Sequence, residues 1–88
     1  MKLHPHALAR MEERGATAEE VAATLQGGER FPAKFGRQGF RRNFGHSGLW
    51  RGNRYETKQI EAYAVEEDGD WLVISVIVKY FGIGSDKG

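Results

Sequence analysis

The chain has 88 residues, a formal net charge of +1 and 40% apolar residues, which fits one small globular domain and leaves no length for a second. Dinucleotide-binding folds, closed α/β barrels and multi-layer enzymes are excluded by size. The absence of cysteine removes disulfides, thiolate zinc sites and cysteine nucleophiles.

In chain order, Pro5 suits a helix first turn and Gly15 a helix stop, so residues 5–14 are predicted as a short helix with Ala7, Leu8 and Met11 on one face. Thr17 and Glu20 form a capping-box pair that opens a second helix. Its Ala18, Val21, Ala22 and Leu25 keep helical spacing, and Gly27-Gly28 ends it. From Glu29 onward, short aromatic and β-branched runs are broken by glycines at 36, 39, 45, 48 and 52, the pattern of strands with irregular connections. Asp68-Gly69 is a strong hairpin signal, so residues 57–66 and 71–81 are expected to pair as antiparallel strands. The second strand is nearly continuous in its hydrophobicity and should lie inside the sheet. Alternation predicts Leu72, Ile74, Val76 and Val78 beneath the helices. Trp71, Val73, Ser75, Ile77 and Lys79 then face the other way and floor an open groove, to which Lys58, Glu61 and Tyr63 can contribute. Parity separates Lys58 from the other two. The expected class is α+β, two N-terminal helices on one face of a three- to four-stranded antiparallel sheet. Residues 1–83 form the domain and 84–88 a flexible tail. The longest apolar run, 72–78, is far short of a bilayer span, and MKLHPHALAR lacks a secretory signal's apolar stretch. The expectation is a cytoplasmic protein with no membrane partner.

The charge is unevenly laid out. Residues 30–58 hold eight cations and one acid, Glu56, whereas the rest holds five cations and eleven acids. Six of the ten aromatic residues fall in the same basic segment. Cations neutralise phosphates and aromatic rings stack on bases, so this mixture points to nucleic acid, with Lys34, Arg37, Arg41, Arg42, Arg51, Arg54, Trp50 and Tyr55 as candidate contacts. The competing expectation is that the rings are core and the arginines lie along them.

His6, Arg10 and Arg14 recur at four-residue steps and so form one row on the first helix. RNA cleavage needs a base for the 2′-hydroxyl, an acid for the leaving 5′-oxygen, and cations for the phosphorane. Histidine serves the first two and arginine the third. Against this, Arg10 and Arg14 can pair with Glu13, and a lone helix histidine is often only a surface residue. Lys58 is a further candidate for phosphate charge. Glu61 is a candidate base, or else a salt-bridge partner. His4, His6 and His46 have no acidic or thiolate companion at a recognisable interval, so neither metal nor cofactor is expected. The serines lack a nucleophile elbow and the glycines a phosphate-loop ending.

The string from His6-Ala-Leu-Ala-Arg10-Met-Glu-Glu-Arg14-Gly, followed by Thr17-Ala-Glu-Glu-Val21, resembles the opening of the bacterial domain of unknown function family 4258. The segment Lys58-Gln-Ile-Glu-Ala-Tyr-Ala-Val-Glu-Glu and the later Ile74-Ser-Val-Ile-Val-Lys-Tyr80 are similar to that family's last hairpin, with Ser75 where threonine is usual. That family is grouped with the barnase–EndoU–colicin–RelE fold. The resemblance implies a RelE-like sheet with an open RNA-binding or RNA-cleaving face, a metal-independent endoribonuclease or toxin, and an antitoxin protein as a partner. Only His6, Arg10 and Arg14 carry over directly from the motif. The alternative expectation is a non-catalytic module of the same fold that binds nucleic acid or protein.

Overall fold

A computed structural model of the chain describes residues 1–46 and 48–83, with the Ile83 side chain left aside. The tail expected at 84–88 lies outside them. The elements are β1 (Lys2–Leu3), α1 (Pro5–Arg14), α2 (Ala18–Gly27), β2 (Glu29–Pro32), a 3₁₀ turn (Lys34–Gly36), β3 (Gln38–Gly45), β4 (Leu49–Trp50), β5 (Asn53–Glu67) and β6 (Asp70–Ile83). They form an α+β fold with two helices and a mixed six-stranded sheet of order β1-β6-β5-β3-β2, with β4 paired to β5. Two of the strands beyond the three or four expected, β1 and β4, are only two residues long, too short to leave a period in the hydrophobic pattern. β1 also runs parallel to β6, where only antiparallel pairs were expected.

Each helix forms where its caps dictate. In α1, Pro5 takes the first turn, the His6 backbone N–H donates to His4 Nδ1 (3.0 Å), and Gly15 closes the end in the left-handed region at φ 82°. A side chain at Gly15 would also collide with the Trp50 ring. The Thr17–Glu20 capping box opens α2 as predicted, with both reciprocal bonds made at 3.0 and 3.1 Å. The buried face of α1 is Ala7 and Met11. Leu8, expected beside them, is 49% exposed. Thr24 replaces the expected Ala22 as a buried α2 residue, its hydroxyl satisfied by donating back to the Glu20 carbonyl (2.8 Å).

The long β5–β6 hairpin turns at Asp68-Gly69, both at positive φ (54° and 76°), which is the two-residue turn that matches strand twist. Between the pairs Ala64↔Val73 and Tyr63↔Ser75, Ile74 has no partner, making a β-bulge. The extra residue reverses parity. Val76 and Val78 face the core as expected, but ahead of the bulge it is Val73, fully buried, that joins them, with Trp71 packed alongside, and not Leu72 or Ile74. Phe40, Ile60, Ala62, Ala64, Val73, Val76 and Val78 share one face of β3, β5 and β6, and form a single apolar cluster with Ala7, Met11, Ala16 and Val21.

Candidate nucleic-acid interface

The opposite parity of the same strands carries the polar side chains. Arg41, Glu61 and Ile77 stand in register across β3, β5 and β6, with Gly39, Tyr63 and Ser75 in the next row. Glu61 is only 5% exposed, and a carboxylate that far from water needs partners. It has three. The Tyr63 hydroxyl donates to Oε1 (3.0 Å), and Arg41 and Lys79 approach Oε2 at 3.5 Å each. Arg41 also lies 3.5 Å from Glu29 Oε1, while its buried Nε makes no hydrogen bond among the described residues. Burial, and then the bond to Glu61 and that carboxylate's charge, push the Tyr63 phenol above its ordinary range, against the opposing pull of Arg41. Tyr63 therefore stays a neutral proton donor at neutral pH.

Beside this cluster an aromatic wall is built from β2 and the turn that follows. Gly39 lets the Phe31 ring lie directly on the sheet, since a Cβ there would overlap the ring. Phe31 meets Tyr63 edge-on at 5.9 Å and carries the Arg41 guanidinium over its face at 4.5 Å. Phe31, Pro32, Ala33, Lys34, Phe35, Arg37 and Tyr63 enclose an open cavity of about 520 Å³. Phe35, at its rim, is 85% exposed and sits at φ 62°, ψ 34°.

The expected catalytic residues do not converge. Lys58 is buried on the core-facing parity, where its ammonium donates to the Gly15 carbonyl and to Glu20 Oε1 (2.8 Å). Tyr80, in register with Lys58, donates to the Arg14 carbonyl (2.9 Å). The α1 row is thereby tied to the face of the sheet away from Glu61. Within that row His6 is exposed, Arg10 pairs with Glu13 (2.8 Å), and Arg14 is exposed in the last turn. The expected nucleic-acid contacts are likewise divided. Arg41 belongs to the Glu61 cluster, and Lys34 and Arg37 to the cavity. Arg42 instead donates to the Ala23 carbonyl (3.1 Å) and lies over Phe44. Arg51 reaches the Glu13 carbonyl (3.5 Å) and covers Trp50, which stacks on Tyr80 at 4.8 Å with Tyr55 nearby. Arg54 is exposed on β5.

Sequence reasoning missed Phe31, Phe35 and Glu29 as neighbours of the site. The available signal was Gly39: a glycine inside a strand opposite an aromatic marks a ring lying across the backbone. Among the described residues, no three His, Asp or Glu side chains gather as a metal site, and no helix is long and apolar enough to cross a membrane. No family model, curated protein or solved structure matches the chain.

Proposed function

We propose that this chain is an RNA-binding domain with metal-independent endoribonuclease chemistry, of the toxin type suggested by the likeness of its first helix and last hairpin to family 4258. In this reading the architecture is RelE-like: α1 and α2 cover one face of the sheet, and the other is left to RNA, or to an antitoxin protein that would block it. The observation that carries the reading is Glu61, a carboxylate almost removed from water yet held beside a phenol and two cations on a sheet face. The proton path closes on itself. Glu61 takes the 2′-hydroxyl proton as that oxygen attacks phosphorus, and Tyr63 gives its proton to the departing 5′-oxygen. Tyr63 is then refilled from Glu61 along their 3.0 Å hydrogen bond. Arg41 and Lys79 balance the charge on the phosphorane. The geometry favours Glu61 over His6 as the proton acceptor, because His6, Arg10 and Arg14 lie with the helices.

The test is incubation of the protein with RNA in EDTA, followed by analysis of the new ends. The expected products carry 2′,3′-cyclic phosphate. Glu61→Gln should slow cleavage about 10²–10⁴-fold while leaving RNA affinity within a few fold, and His6→Ala should leave the rate close to wild type. One observation favours a second reading: the carboxylate already has three partners, as a purely structural network would. If the wild type leaves every RNA intact, including ribosome-bound message, the domain is a binding module and the chemistry falls.

A further inference from the structure

We infer that the cavity beside Tyr63 seats one unpaired base of the bound strand, stacked against Phe35, so that the ligand is single-stranded RNA rather than a duplex. This deepens the RNA reading and rests on it. Phe35 is the first reason. A bulky residue in the left-handed region is strained, and here the strain presents the ring to water at 85% exposure. The left-handed pair Phe35-Gly36 makes the turn that joins β2 to β3, closed by the Arg37 N–H donating to the Lys34 carbonyl (3.2 Å), and it holds the ring at the turn's tip with most of its surface in water, where a flat ligand laid on the ring would bury it. Next comes the shape of the cavity. Phe31 lies on Gly39 and meets the Tyr63 ring edge-on, giving a second aromatic wall to the cavity. The volume, about 520 Å³, falls in the range of sites that take small ring systems.

Charge selects among flat ligands. Lys34 and Arg37 line the cavity, and among the described residues neither forms an ion pair with a carboxylate. Arg37 lies 5.8 Å from the Phe35 ring centre, so a cation sits beside the stacking surface. A ring joined to an anion satisfies both features at once, and a nucleotide is such a ring. A base within a duplex has its faces covered by its neighbours, so only an unpaired one can enter.

The experiment uses the full chain in EDTA with three short oligoribonucleotides methylated at every 2′-oxygen, which removes the attacking hydroxyl and so prevents cleavage: one carrying 2-aminopurine at a central position, the same strand with that site abasic, and the first annealed to its complement. For the wild type we expect quenched 2-aminopurine emission on binding and affinity for the base-bearing strand on the order of tenfold above the abasic one. The duplex should bind more weakly than either. Phe35→Ala should restore the emission and erase the tenfold preference. Phe35→Gly should do the same without lowering the melting temperature, because glycine adopts this backbone freely. That combination separates a stacking role from a structural one. Equal, salt-dependent binding of all three oligonucleotides overturns the base pocket while leaving the RNA surface intact. Binding of none overturns both, and self-association lost in Phe35→Gly would then assign the exposed ring to a second copy of the chain.

Discussion

Lys58 shows how one residue type can be read for the wrong task. A lysine in a basic segment next to a candidate site suggests phosphate binding, yet this one is buried and joins the end of α1 to the start of α2 through the Gly15 carbonyl and Glu20. Its partner responds. Burial alone would raise the Glu20 carboxyl, but the hydrogen bond from Lys58, the bond with Thr17 and the ammonium's charge outweigh it and hold the group below its ordinary value. A lowered folded value means stability that is present above the unfolded carboxylate range and lost as pH falls through the folded one. Lys58→Met should therefore cost about 1–3 kcal/mol near neutrality, measured by urea melts. The gap from wild type should narrow as pH falls below the ordinary carboxylate range and Glu20 takes up a proton in both proteins. A gap that stays constant with pH would show that the loss is packing rather than the ion pair.

Among the elements, β6 carries the clearest disagreement between pattern and structure. Strict alternation across 71–81 places Leu72 and Ile74 with Val76, whereas the bulge puts Val73 there. Both Val73→Ala and Val76→Ala should destabilise by roughly 1–3 kcal/mol, as large-to-small core changes do, although they stand three positions apart and simple alternation would set them on opposite faces. A near-neutral Val73→Ala would remove the bulge assignment. The helices were legible because caps are local chemistry: Thr17, Glu20, Pro5 and Gly15 each act within one turn. The hairpin was legible for the same reason, through Asp68-Gly69. The bulge was not, since nothing in a run of β-branched residues distinguishes the one that lacks a partner. β1 was hidden because two residues carry no period. The candidate site shows the same divide. Glu61, Tyr63 and Lys79 were grouped correctly by parity, but the α1 row could not be placed on a side of the sheet until Lys58 and Tyr80 were seen to anchor it.

At the scale of the molecule, the near-neutral total conceals a split that matters for binding. The excess of cations in residues 30–58 is not concentrated on one face, since Arg42 and Arg51 are engaged with the helical segment while Lys34, Arg37 and Arg41 flank the aromatic wall. Affinity for single-stranded RNA should therefore fall with salt at a log–log slope of about −0.7 for each phosphate neutralised. Removing Lys34 or Arg37 should flatten that slope, and removing Arg42 should leave it nearly unchanged. A slope indifferent to Lys34 and Arg37 would move the strand to another surface.

The unpaired Ile74 also bears on how this chain can change length. In most paired strands, losing one residue turns every side chain beyond it to the wrong side. Here the loss of Ile74 would align Val73, Ser75 and Val76 one to one with Ala64, Tyr63 and Ala62, keeping both valines inward and Ser75 outward. β6 thus contains one position where a codon can vanish without scrambling the core, and related sequences that lack it should fold with a straighter hairpin rather than a different one.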